Sequence, residues 1–257
     1  MLIGARESFA VHSRGTPTAR SYVQDGLVAM WDGIENSGWG VHDTYARAVD
    51  LTGRHPDLSS FSRTTDNAMI FGKNNYCLFA AAEWADYRAA INTGNFSFEF
   101  CGEIDTTDKY WRTIIYSSAG GNNSRFNVRP SFDSASTSYR KVQAFAYSSS
   151  GVPGIAIGSA YPQIVPDDLK FTNIAVSCKS DGSGLVCCDD NNLLFADGAF
   201  PIQTSSAALC FNREMAGGPS GNSASGAWHC IRWYNRALTA DEIAANRAID
   251  KVRFNLP

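Results

Sequence analysis

Gly226-Ala-Trp-His-Cys-Ile-Arg-Trp-Tyr-Asn-Arg-Ala-Leu-Thr-Ala-Asp-Glu-Ile-Ala-Ala-Asn246 is the most legible segment of the chain. Residues 227–234 are dense in Trp, Ile, Tyr and Cys, which predicts a strand covered on both faces. Asn235 and Arg236 end that run. Thr239 stands three residues before Glu242, the spacing of a capping box, and Leu238 and Ile243 are placed to staple over it. Asp241 and Glu242 add negative charge where a helix dipole is positive. A helix should therefore start after Thr239 and end near Asp250.

Upstream, the chain reads as strands joined by turns. Asp25–Asp32 is the first strand, and Asn95–Asp105 is the clearest. There Phe96, Phe98 and Phe100 share one face, while Glu99, Cys101, Glu103 and Asp105 share the other. The phenyl face should meet an opposing sheet. Residues 65–79 read as two strands around a turn at Gly72-Lys-Asn-Asn75, and Ala80–Ile91 as a short helix. Residues 111–117, 125–130, 139–147 and 207–211 continue as strands. Residues 148–169 and 216–225 read as loops. Ser180-Asp-Gly-Ser-Gly184, between strands at 171–178 and 185–188, is a hairpin signal.

The closing segment resembles the end of a laminin-G-like (concanavalin A-like) domain, through Arg232, Tyr234, Arg236, Leu238, Thr239, Glu242 and Ile243. Gly26–Gly33, Asn95–Phe100 and Lys170–Val176 resemble its opening and inner strands. The resemblance implies an all-β fold: a two-sheet antiparallel jelly-roll sandwich over residues 25–257 with a short C-terminal α-helix. It implies no single activity, because this fold hosts lectins, adhesion modules, glycosidases and structural parts.

At 257 residues the chain suits one large all-β domain. Its 22 basic and 25 acidic residues form no basic block, so neither a nucleic-acid partner nor an anionic membrane surface is expected. No apolar run approaches the about 20 residues of a membrane span. The start, Met1-Leu-Ile-Gly-Ala-Arg-Glu7, lacks the pattern of a secretory signal, which suggests a cytoplasmic or virion location. Seven cysteines without a C-x-x-C read as small buried hydrophobes of a reducing compartment. Residues 1–24 read as an arm with no core of its own, expected to dock on a second copy or a particle partner.

Three sets of residues are candidates for chemistry. Glu103-Ile-Asp-Thr-Thr-Asp108 resembles the E-x-D-x-x-E signature of laminarinase-type glycoside hydrolases. That resemblance implies Glu103 as nucleophile, Asp108 as acid/base and Asp105 as the group tuning them, although Asp108 is one methylene shorter than the family's Glu. The alternative is a strand running into an acidic turn. Trp39, His42 and Asp43, with Trp31, suit either a sugar site or aromatic packing between the termini. Asp189, Asp190 and Asn191 suit either calcium, a hard cation that wants oxygen ligands, or a turn.

The reading that follows is a non-catalytic recognition or adhesion module for a glycan or protein, as part of a phage particle or bacterial surface assembly. The alternatives are a purely structural virion part (head fibre, decoration or tail component) and a laminarinase-like hydrolase using Glu103 and Asp108.

Overall fold

The computed structural model describes residues 17–37, 47–61, 63–64, 67–105, 112–117, 126–131, 141–147, 153–157, 172–195, 208–213 and 223–257. In chain order the strands begin with β1 (Leu27–Asp32), β2 (Arg47–Ala48), β3 (Leu58–Ser59), β4 (Arg63–Thr64), β5 (Met69–Phe71) and β6 (Cys77–Phe79). Next come β7 (Phe96–Ile104), β8 (Ile115–Ser117), β9 (Phe126–Ser131), β10 (Lys141–Tyr147) and β11 (Pro153–Ile157). The set closes with β12 (Asn173–Cys178), β13 (Gly184–Cys188), β14 (Asn191–Phe195), β15 (Leu209–Phe211) and β16 (Gly226–Tyr234). The helices are α1 (Gly33–Ser37), α2 (Ala85–Thr93) and α3 (Ala240–Phe254).

One sheet runs β14-β13-β12-β7-β16-β5-β4, with β1 also on β16; the other runs β11-β10-β9-β8-β15-β6. Every ladder between these strands is antiparallel. The two sheets face each other through aromatic side chains. Phe96 of β7 meets Phe126 of β9 edge to face at 6.0 Å, and Trp233 of β16 stacks on Phe211 of β15 at 5.8 Å. The protein is thus an all-β sandwich with a C-terminal helix. The phenylalanine row of β7 lies wholly in its core, as its period-two spacing requires.

β16 is central because both its edges are occupied. β7 pairs along one; β5 pairs with residues 226–228 and β1 with residues 230–234 along the other. His229 bulges out of the ladder between the pairs Trp228↔Gly102 and Cys230↔Cys101. This extra residue shifts the alternation, so Trp228, Ile231 and Trp233 all enter the core, while Cys230 and Arg232 turn to the outer face. The His229 ring stacks on Phe254 of α3, with centroids 5.0 Å apart.

α3 covers that outer face and runs four residues past the expected end at Asp250. Its cap is the expected one: Thr239 Oγ1 accepts from Glu242 N at 3.2 Å, and Thr239 N donates to Glu242 Oε2 at 2.8 Å. The extension packs Phe254 against Tyr22, Met30, Cys101 and Cys230, and Asn255 closes the helix with a left-handed backbone. Residues 17–24 lie on the same face. Tyr22 is buried, its hydroxyl donates to Asp250 Oδ1 at 2.7 Å, and Val23 N donates to Asn246 Oδ1 at 2.9 Å. This part of the expected arm therefore belongs to the domain; residues 1–16 lie outside the described residues.

Other expectations change for physical reasons. β5 and β6 are not a hairpin: β5 pairs with β16 and β6 with β15, so residues 72–76 carry the chain from one sheet to the other. β11 lies in what reads as loop, because a five-residue apolar run among Gly, Ser and Pro is too short to show a period. Its first residue, Pro153, is at the sheet edge, where a missing N–H is tolerated. All seven cysteines are buried and unpaired, and neighbouring Cys187 and Cys188 point into different hydrophobic clusters. Among the described residues, no helix is long and apolar enough to cross a membrane.

Candidate functional site

The acidic motif ends β7. Glu103 is exposed beside Ala227, and Asp105 N donates to Ser225 O at 2.7 Å. Asp108 lies outside the described residues. The strand face that Glu103 shares with Glu99 and Cys101 is not an open cleft, because α3 and Tyr22 bury Glu99 and Cys101. Trp39, His42 and Asp43 also lie outside the described residues. Trp31 is fully buried, edge-on to Trp233 at 5.0 Å.

Asp189, Asp190 and Asn191 join β13 to β14. Asp189 takes a left-handed φ of 50°, and its Oδ1 accepts from Thr172 N at 3.1 Å, Thr172 Oγ1 at 3.1 Å and Asn173 N at 3.0 Å. The cationic group beside both carboxylates is the Arg247 guanidinium, which bonds Asp190 and lies 3.9 Å from Asp189. Asn191 opens β14, opposite Cys188. Among the described residues, no three His, Cys, Asp or Glu side chains cluster as metal ligands would.

Among the described residues, one densely charged constellation is hidden from the sequence. Arg232 donates to Glu99 Oε2 at 2.8 Å and, bidentately, to both Asp250 oxygens at 2.7 Å. Its guanidinium sits 4.2 Å from the Tyr22 ring centre. Asn246 Nδ2 donates to Glu99 Oε2 at 2.8 Å, and Asn173 Nδ2 to Asp250 Oδ2 at 3.1 Å. Burial pushes the Glu99 carboxyl up, against the pull of Arg232. All three charged side chains are shielded from solvent. The cluster therefore pins α3 to the sheet; no substrate reaches it. The signal available in the sequence is the helical spacing of Ile243, Asn246, Asp250 and Arg253, which marks a buried face with polar members.

Among the described residues, an open site lies where the chain crosses between sheets. A cleft of about 480 Å³ is walled by Ser59, Ser60 and Phe61 on one side and by Asn74, Asn75, Tyr76 and Leu78 on the other. It falls within the usual ligand-pocket range of about 300–1,000 Å³. Its walls are held firmly. Asn75 Oδ1 accepts from Gly72 N at 2.9 Å, and Asn212 Nδ2 donates to Asn75 O at 2.8 Å and Gly72 O at 3.0 Å. Ser60 takes a left-handed φ of 63°, and Ser59 N donates to Cys77 Sγ at 3.5 Å. The Arg213 guanidinium lies 5.0 Å from the Tyr76 ring centre. Leu78, on edge strand β6, is 42% exposed. An aromatic ring, an exposed leucine, two amides and two hydroxyls suit a polyhydroxylated ring, which offers C–H faces and hydroxyl edges together. The lining contains no carboxylate for acid/base work.

No protein-family model matches the chain, and no curated protein matches it. Solved structures do. Trypanosoma rangeli sialidase in complex with sialic acid matches at 14% identity and a TM-score of 0.52, over 90% of this chain and 33% of that one. The same organism's sialidase with 2,3-difluorosialic acid, a covalent intermediate, matches at 13% and 0.53, over 92% and 33%. A mutant of that sialidase displaying trans-sialidase activity matches at 15% and 0.53, over 91% and 34%. The fold is a β-sandwich found within sialidases. At such identities the likeness is one of fold, and the chain spans about a third of the length of those sialidases. This corrects the expectation of a non-catalytic adhesion module or virion part, with a laminarinase-like hydrolase as alternative. The proteins matched are sialidases, which are enzymes, and this runs against the expectation that the chain is no enzyme.

Proposed function

We propose that the chain works in glycan processing, as the sugar-engaging sandwich of a sialidase-type glycosidase, with the cleft at Tyr76 as a sugar site. The observation that carries this is the extent of the fold match: nine-tenths of this chain corresponds to one third of a sialidase. The cleft supports it with the aromatic, amide and hydroxyl groups that sugar recognition uses. On this reading the sandwich is a jelly roll of the lectin type, and its partner is a glycan.

The test has two arms. The full chain is titrated calorimetrically with sialylated and desialylated oligosaccharides, and it is assayed against a fluorogenic sialoside. Saturable binding of either oligosaccharide, weakened about tenfold or more by Tyr76→Ala, is expected. Sialoside turnover would place catalysis in this part of the enzyme. Absence of both binding and turnover would overturn the reading.

A further inference from the structure

Two of the seven buried thiols face each other. Cys101 of β7 and Cys230 of β16 are register partners in the central ladder of the larger sheet, in the pair that follows the His229 bulge. Both side chains lie in one buried cluster with Tyr22, Met30 and Phe254, on the face that α3 covers. Directly opposed residues of an antiparallel ladder have Cα atoms about 4.5–5.5 Å apart, whichever kind of pair they form. A disulfide needs about 4.4–6.8 Å between Cα atoms, with the two Cβ atoms on one side. Cys101 and Cys230 meet both conditions. Among the described residues no other two cysteines are register partners.

The two thiols are not equivalent. Arg232 Nη1 donates to Cys230 Sγ at 3.5 Å, so a thiolate at Cys230 has a cation beside it. The carboxylates around the pair are each matched. Arg232 holds Asp250 and Glu99, and Asp32, which stands opposite Cys230, accepts from Arg253 Nη2 at 2.9 Å. In the closed fold burial pushes both thiols well above their ordinary value, so the pair does not react while covered. Its cover is Phe254, in the last turn of α3, and Tyr22, in the segment that leads into β1. A helix end and a short leading segment open locally at lower cost than the strands beneath them.

We infer that Cys101 and Cys230 form an oxidisable dithiol, which a hydroperoxide converts into a disulfide locking β7 to β16 beneath α3. A hydroperoxide is the fitting oxidant because hydrogen peroxide is small enough to use a narrow opening. Cys230 gives its proton to solvent, and its thiolate attacks one peroxide oxygen. The O–O bond breaks, leaving a sulfenic acid on Cys230 and a hydroxide that takes a proton and departs as water. Cys101 Sγ then attacks Cys230 Sγ: the S–S bond forms, the S–O bond breaks, and the hydroxyl leaves with the Cys101 proton as a second water. Two thiols and one peroxide become one disulfide and two waters; the sulfurs are oxidised and the peroxide oxygens reduced. The site is independent of the Tyr76 cleft and of the glycan reading.

Incubation of the full, reduced chain with excess hydrogen peroxide under native conditions tests this. Thiols are then counted in guanidinium, and unreduced peptides are mapped by mass spectrometry. The count should fall from seven to five, with one cross-linked peptide holding Cys101 and Cys230, and dithiothreitol should restore all seven. Phe254→Ala, which removes part of the cover, should speed the loss about tenfold or more. In Cys101→Ala, Cys230 should stop at the sulfenic acid and be trapped by dimedone. The oxidised protein should unfold at higher urea than the reduced one, as closure of a long loop requires. Seven thiols remaining, a cross-link between other cysteines, or overoxidation of Cys101 or Cys230 without a cross-link would each overturn the inference. The mapping of the unaltered chain decides this even where a variant fails to fold. An unchanged rate in folded Phe254→Ala would overturn the role given to the cover, and a lower urea midpoint after oxidation would overturn the lock.

Discussion

The Arg232 guanidinium grips the Asp250 carboxylate through two parallel hydrogen bonds, Nη1 to Oδ1 and Nη2 to Oδ2, both 2.7 Å long. Neither side chain reaches solvent. Strand β16 and helix α3 are therefore joined by a pair whose members cannot be separated cheaply. Asp250→Ala should cost about 3–5 kcal/mol, because it strands a buried cation that Glu99 alone must balance. Urea unfolding measures this. A loss below about 1 kcal/mol would mean that water reaches Arg232.

Glu242 titrates in the opposite direction to Glu99. Hydrogen bonds from Arg236, then from the Thr239 backbone, hold its carboxyl at about 2, below its ordinary 4.5. A depressed folded-state value means stability that is present above pH 4.5 and lost as pH falls through about 2. Glu99 and Asp32, raised by burial, favour the folded state on the acid side and lose that contribution as pH rises. Glu242→Gln should therefore flatten the acid limb of the stability profile between pH 4.5 and 2. It should also lower stability at neutral pH by about 0.5–2 kcal/mol through the weakened cap. Parallel profiles for the two proteins would refute the assignment.

Trp233 is the hub of the core. It stacks on Tyr87 at 4.4 Å and on Phe211 at 5.8 Å, and meets Trp31 edge-on at 5.0 Å. Trp233→Ala should cost about 3–5 kcal/mol. Among the described residues its buried Nε1 has no hydrogen-bond partner, so Trp233→Phe removes an unpaired donor along with some volume. That change should cost less, about 1–2 kcal/mol by the same unfolding measurement. Equal losses would show that the indole N–H is bonded.

Gly226 stands where a Cβ would lie 2.0 Å from the Glu103 carbonyl oxygen, on a backbone with φ of 146°. Gly226→Ala should loosen the start of the β16–β7 ladder and destabilise by about 1–3 kcal/mol. Hydrogen exchange at Asp105 N, which bonds Ser225 O, should accelerate first. Unchanged exchange there would contradict the strain argument.

The thiols are inert by burial. Cys187 and Cys210 are pushed up to about 12, and Cys101, Cys188 and Cys230 well above the ordinary thiol value, in each case chiefly by loss of solvent. An aromatic disulfide reagent at mildly alkaline pH should find no fast-reacting thiol in the folded protein and all seven in guanidinium. A fast native thiol would reveal a local opening.

Features that depend on neighbours along the chain are legible in the sequence. The phenylalanine row of β7, the Thr239–Glu242 cap and the doubly covered β16 follow from period, spacing and composition within a few residues. Features that depend on meetings between distant residues emerge with the folded molecule. The bulge at His229 is defined by its partner strand, and the crossing at residues 72–76 by which sheet each flanking strand joins. Arg232 and Glu99 are 133 positions apart, and the Tyr76 cleft is assembled from separated segments. No local pattern encodes such meetings, because they form only when burial of the two sheets brings distant side chains into one low-dielectric space.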